Sequence, residues 1–211
     1  MEDGHPTTHE MSRKQRPMHP ILERLKGGDR RSIGKSNEVV AMVLKEPRLF
    51  DALFSGLFAD DPVIRMRSAD AAEKITAVHP EYLVPYKTSL LKSLANVGQA
   101  EVRWHVAPML ARLPLSKSEQ AAVIDVLTGY MNDHSSIVKT TAMQALYDLA
   151  ERYEAWRPVA LLHIKELVAI GTPAMKARGK KLLTKLNRLT TASTRTGFPA
   201  DASKPAGYLK R

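Results

Sequence analysis

The chain contains no cysteine. That single absence excludes disulfides, thiolate nucleophiles and Cys-ligated zinc, and it fits a reducing compartment. Aromatic residues are sparse at 6%, which weighs against a surface built to stack bases. No apolar run approaches the roughly 18–20 residues that cross a bilayer. The N-terminal MEDGHPTTHEMSRKQRPM lacks the apolar middle of a secretory signal. Strand-like alternation is almost missing, and so are catalytic signatures. There is no Gly-x-Ser-x-Gly, P-loop, Gly-x-Gly-x-x-Gly or His-Glu-x-x-His. Lys26-Gly-Gly-Asp29 and Arg31-Ser-Ile-Gly-Lys35-Ser36 are too short and wrongly spaced for a phosphate loop. The seven histidines are scattered, and His5 and His9 share an i, i+4 spacing only in a segment unsuited to a helix. No catalytic residue, cofactor or metal is therefore expected. The default is a soluble cytoplasmic protein with no membrane contact.

What is present is charge at the two ends of the chain. The formal net charge over 211 residues is +10, but it is unevenly placed. Residues 1–12 hold Glu2, Asp3 and Glu10 and no Lys or Arg. Residues 13–35 hold Arg13, Lys14, Arg16, Arg24, Lys26, Arg30, Arg31 and Lys35 against Glu23 and Asp29. Residues 171–211 hold Lys176, Arg178, Lys180, Lys181, Lys185, Arg188, Arg195, Lys204, Lys210 and Arg211 against Asp201 alone. The middle, 36–170, is slightly acidic. Such a distribution suits an anionic partner met at the ends, not one continuous phosphate track.

Helix-period apolar patterns follow one another, separated by Pro, Gly, Asp and Asn. Self-comparison aligns four of them without gaps: IRMRSADAAEKI from Ile64, VRWHVAPMLARL from Val102, VKTTAMQALYDL from Val138 and MKARGKKLLTKL from Met175. The spacing between starts, about 36–38 residues, is that of a helical repeat. Each copy opens on an apolar residue followed by Arg65, Arg103, Lys139 or Lys176, with Ser68, Val106, Ala142 or Gly179 one turn later. A weaker fifth copy matches Ser36, Val39, Val40 and Val43 to Ser68, Ala71, Ala72 and Ile75. An amphipathic partner helix is expected before each copy, over Pro20–Lys26, Arg48–Phe58, Tyr86–Leu94, Lys117–Met131 and Arg157–Ile170. Ser116-Lys117-Ser118-Glu119 reads as a capping box. Pro20 and Pro158 sit near helix starts, and Gly27-Gly28 closes the first helix.

The run Asp133-His-Ser-Ser-Ile-Val-Lys139-Thr-Thr-Ala142-Met-Gln-Ala145-Leu146 resembles the HEAT family of armadillo-like α-solenoids, in its short single-domain bacterial form. The resemblance covers roughly residues 20–188. It implies an all-α, right-handed solenoid of about five HEAT-type helical hairpins over 19–189. Disordered tails are expected at 1–18 and, basic in character, at 190–211. It also implies an inter-repeat ladder in which Asp61 joins Arg65 and Asp133 joins Lys139.

In such folds the second helix of each hairpin lines the concave face. An exposed row is then expected at the fourth, seventh and eleventh positions of the aligned copies. The fourth is Arg67, His105, Thr141 and Arg178; the seventh is Asp70, Pro108, Gln144 and Lys181; the eleventh is Lys74, Arg112, Asp148 and Lys185. With Lys35 at the start of the fifth copy and Trp104 beside His105, the candidate binding face is Lys35, Arg67, Lys74, Trp104, His105, Arg112, Arg178, Lys181 and Lys185. Two readings stay open for it: an anion-facing groove, or an ordinary solvated helix face. Pro108, one turn after Trp104-His105, is expected to kink its helix. The resulting expectation is a non-enzymatic module that binds a protein partner, acidic in character, with oligomeric state unspecified. The alternatives are sequence-independent nucleic-acid binding by the basic ends, or a HEAT-like DNA glycosylase. The second needs tryptophans and a carboxylate on neighbouring helices; the sequence offers Trp104 and Trp156 and no helix-borne acid matching that motif.

Overall fold

A computed structural model describes the backbone of residues 18–196 and side chains as far as Thr191. Its regular structure is all helical, with no strand among the described residues. Ten α-helices follow in order: α1 (Pro20–Glu23), α2 (Ser36–Lys45), α3 (Phe50–Ser55), α4 (Pro62–Val78), α5 (Lys87–Lys92), α6 (Ala100–Arg112), α7 (Lys117–Tyr130), α8 (Ser136–Arg152), α9 (Arg157–Ile170) and α10 (Pro173–Thr196). The chain divides into two compact units, the first ending at Ala72 and the second beginning at Glu73.

In the first unit two of the three apolar positions of the weakest repeat copy, Val39 and Val43, are fully buried, together with Leu25, Leu53, Leu57 and Ile64, while Val40 is half-buried. The expected first helices are shorter than the periodicity suggests. Pro47–Leu49 and Gly56–Phe58 are 3₁₀ turns flanking α3. Proline at the start of the first turn supplies no N–H to a longer α-helix. Gly27, Gly28 and Gly34 all have positive φ, as expected for the first two.

One expectation is corrected here. Arg67 is not an exposed groove residue: it is 3% exposed. Its Nη1 donates to the carbonyls of Leu25 at 2.9 Å, Gly27 at 2.7 Å and Lys26 at 3.3 Å, its Nε to Ser32 at 3.0 Å and its Nη2 to Asp29 at 3.3 Å. The loop after α1 folds around the guanidinium. Asp70 is buried too, accepting from Ser36 Oγ at 2.5 Å. The helix that was to present a charged face in this unit instead uses two of its charges as internal fasteners.

In the second unit α8 packs on α6, α7, α9 and α10, and Ala142, Ala145, Leu146 and Leu149 on it are fully buried. The eighth, ninth and twelfth repeat positions thus form its core stripe, as the alignment requires. The capping box at Ser116 and Glu119 is present, with Glu119 N donating to Ser116 Oγ and Ser116 N to Glu119 Oε2 at 2.7 Å. Helix α10 runs past the boundary expected at 189, and within it the Thr190 and Thr191 hydroxyls donate to the carbonyls of Leu186 and Asn187. Of the tails expected at 1–18 and 190–211, residues 1–17 and 197–211 lie outside the described residues.

Candidate functional site

The second unit carries a cleft of about 460 Å³ built from the aligned second helices. From α6 come Trp104, His105, Pro108 and Arg112; from α8 come Thr140, Thr141, Gln144 and Asp148; Arg178 of α10 and Glu73 of α4 complete it. The i, i+3, i+7 row explains this convergence. Core positions 106, 109, 110 and 142, 145, 146, 149 turn inward and are buried, so the intervening positions of the same helices turn to the cleft.

Trp104 and His105 are both half-buried, their rings edge to face with centroids 5.8 Å apart. The helix continues through Pro108, whose missing N–H leaves the Trp104 carbonyl without its usual intrahelical donor.

A polar chain crosses the cleft. Gln144 Oε1 accepts from Arg178 Nη2 at 2.6 Å and Nε at 3.0 Å, and Gln144 Nε2 donates to Asp148 Oδ1 at 2.6 Å. Arg112 Nη2 pairs with Glu73 Oε1 at 2.5 Å, while its Nη1 donates to the Glu73 carbonyl at 2.8 Å and to Thr76 Oγ1 at 3.3 Å. Burial pushes the Asp148 carboxyl up from its ordinary value; the Gln144 hydrogen bond, Arg112 and Arg178 pull the other way, and Glu151 adds to the rise. A partly desolvated carboxylate in a cleft is a common property of working sites.

Of the residues anticipated for a binding face, the structure brings together Trp104, His105, Arg112 and Arg178. Lys181 and Lys185 are exposed on α10 outside the cleft lining, with Lys185 Nζ 6.0 Å from the ring centroid of Tyr147. Lys74 is half-buried on α4 and does not line the cleft. Lys35 and Arg67 belong to the first unit and are no part of it. Asp148 and Gln144 carry the cleft's electrostatics, yet the sequence pointed to them only as members of the row. Glu73 fell outside the row altogether. Trp156 is elsewhere, its Nε1 donating to Gln120 Oε1 at 3.0 Å.

No group of three or more His, Asp or Glu side chains suited to a metal occurs among the described residues. No described helix is long and apolar enough to cross a membrane. No family model matches the chain, and no curated protein does. Among solved structures, the crystal structure of an engineered protein from the Northeast Structural Genomics Consortium is similar at 17% identity over 80% of each chain, with a TM-score of 0.57. At that identity the likeness is one of fold alone.

Proposed function

We propose that the chain is a HEAT-type α-solenoid module, working in the cytoplasm, that binds an acidic segment of a protein partner in the cleft of its second unit. The observation that carries this reading is the convergence of side chains from the second helices of successive hairpins, α6, α8 and α10, on one open cleft. Arg178, exposed at its edge, lies on α10, whose exposed surface also carries Lys180, Lys181, Lys185 and Arg188 and whose sequence holds no acid. An aromatic pair for packing, a carboxamide for main-chain contacts and a basic rim suit an acidic peptide better than a phosphate track. Affinity capture from lysate, with and without nuclease, tests it on the wild type and on Trp104→Ala/Arg178→Glu. Retained partners should survive nuclease and be lost from the double variant. Loss of every partner to nuclease would overturn the protein reading.

A second reading has one specific observation behind it. Asp148 of α8 lines the same cleft as Trp104, an acid beside one tryptophan, while Trp156 lies elsewhere. Release of free base from alkylated duplex DNA by the wild type, abolished in Asp148→Asn, would favour that enzyme over a binding module.

A further inference from the structure

Arg67 is a buried cation without a carboxylate. Its acceptors are five main-chain carbonyls of the 25–32 loop, and no acid among the described residues forms an ion pair with it. Carbonyl dipoles offset a buried charge only in part. The guanidinium has five N–H groups. The Leu25, Lys26 and Gly27 carbonyls occupy Nη1, Ser32 occupies Nε, and Asp29 takes one Nη2 hydrogen through a long bond of 3.3 Å. One Nη2 hydrogen is left over.

That side chain also forms part of the wall of a pocket of about 370 Å³, whose remaining lining is Glu23, Arg24, Lys26, Gly27, Gly34 and Lys35. Four cations face one carboxylate, and Glu23 is already engaged by Lys26 Nζ at 2.8 Å. Arg24 reaches Glu38 only at 3.9 Å. Lys35 is exposed and has no carboxylate within ion-pair distance among the described residues. Gly34 brings its backbone hard against the guanidinium: a Cβ there would lie 2.6 Å from Arg67 Cζ. The two short Lys/Gly runs are not a phosphate loop in sequence, yet the fold gathers both on one buried arginine.

The geometry points to a phosphoryl-binding pocket in the first unit, with the Arg67 guanidinium as its fixed donor and Arg24, Lys26 and Lys35 as its exposed cations. Three surplus positive charges suit a multivalent anion better than a single carboxylate. Arginine supplies the directional fork and the lysines supply point charge. This pocket is separate from the cleft of the second unit, and its ligand is not the partner proposed there.

The competing account is that Arg67 only staples the loop, which would leave the pocket indifferent to phosphate. The full-length, ¹⁵N-labelled chain should be titrated at constant ionic strength with inorganic phosphate, with AMP, and with an oligonucleotide lacking terminal phosphates. We expect saturable shifts of the Gly27, Gly28 and Gly34 amides. We also expect Arg24→Ala/Lys35→Ala to weaken the effective ligand about tenfold or more while the rest of the spectrum stays in place. Saturation by phosphate and AMP assigns the site to a small phosphorylated molecule; saturation by the oligonucleotide assigns it to a nucleic-acid backbone. No saturable shift with any of the three, or saturation unchanged by the double substitution, overturns the proposal.

Discussion

Arg103 on α6 and Asp133 in the turn before α8 form an ion pair at 2.6 Å. The inter-repeat ladder implied by the HEAT resemblance paired Asp133 with Lys139. The structure instead joins one repeat's arginine to the next repeat's aspartate, for a local reason. Asp133 Oδ1 accepts from Ser135 N at 2.7 Å, which fixes the carboxylate and leaves Oδ2 for Arg103. Arg103 Nη1 is anchored in turn by the carbonyls of Val97 at 2.9 Å and Gly98 at 2.6 Å. Asp61 follows the same local habit, its Oδ1 accepting from Val63 N at 2.7 Å, while Arg65 Nη1 donates to the Ala59 and Asp60 carbonyls. Because the Arg103–Asp133 side chains are only 18% and 10% exposed, solvent screens them little. A double-mutant cycle with Arg103→Met and Asp133→Asn, read by urea denaturation, should give a coupling of about 1–3 kcal/mol. A coupling indistinguishable from zero would remove the pair from the list of contacts that hold α6 to α8.

The Arg67 fastener makes a second prediction. Arg67→Met leaves five loop carbonyls without their donor, and the expected loss is roughly 2–4 kcal/mol, measured as a shift in the denaturation midpoint at constant slope. Gly34→Ala should also destabilise, for two separable reasons. Its φ of 51° lies in the left-handed region, which costs a Cβ-bearing residue about 1–2 kcal/mol, and the new methyl would strike the guanidinium. Gly34→Ala in an Arg67→Met background tests the second reason, since removing the guanidinium should recover part of the cost.

These cases show what the sequence carries and what it does not. Apolar spacing fixed the inward faces, because burial at Ala145, Leu146 and Leu149 follows from helical geometry alone. Helix ends with local chemistry were equally legible: the Ser116–Glu119 box and Gly27-Gly28 act within a few residues. Arg67 and Asp70 occupied row positions that looked solvent-facing, and only contacts over thirty or more residues along the chain decide that they are buried. The 3₁₀ turns around α3, and those at Pro80–Tyr86 and Leu94–Asn96 around α5, shortened the expected first helices. In the cleft, Trp104, His105, Arg112 and Arg178 were legible as one face. The role of Asp148 was not, since its desolvation depends on which neighbours close over it.

Acid should weaken the α7 cap in a defined window. The Lys87 side chain and the Ser116 backbone N–H both donate to Glu119 and hold its carboxyl at about 2, below its ordinary 4.5. A depressed carboxyl adds stability that is present above the unfolded value and disappears as pH falls through the folded one. Tm should therefore drop between about pH 4.5 and 2, and Glu119→Gln should flatten that part of the Tm–pH curve. Ser116→Ala, which removes the reciprocal bond, should cost about 1 kcal/mol at neutral pH.

Asp148 titrates in the opposite sense. Its folded carboxyl lies above the ordinary 3.8, so the fold favours the protonated form. The stability this represents is present at low pH and lost as pH rises through the folded value. Asp148→Asn keeps an acceptor for Gln144 Nε2 and removes the desolvated charge. Tm at pH 7 should rise, and the gain over wild type should vanish in acid below about pH 3.8. If partner capture falls while stability rises, the carboxylate is retained for binding at the expense of stability. Equal Tm values across the pH range would contradict the assignment.

Arg178, Lys181 and Lys185 lie at i, i+3 and i+7 on α10, all exposed, and no acid occurs from Leu167 through Ala200. They differ in how they are held. Arg178 is fixed by Gln144 at the edge of the cleft, Lys185 stands over the Tyr147 ring, and the buried stripe Met175, Leu182 and Leu186 lies on the other side of the helix. A terminal helix also needs a polar outer face simply to stay soluble, and that explanation predicts charge without function. The triple substitution by Glu separates the two. Exposed charge changes typically shift stability by about 0.5 kcal/mol or less each, so the variant should fold, and circular dichroism checks this. With the face active, capture of an acidic partner should be lost. Where random-sequence duplex DNA binds, the slope of log K against log salt should become shallower by nearly three units, about 0.9 for each phosphate contact removed. Capture and salt slope both unchanged in the folded variant would leave these cations a solubility role. Binding would then fall to Trp104, His105 and Arg112, the part of the cleft that does not depend on α10.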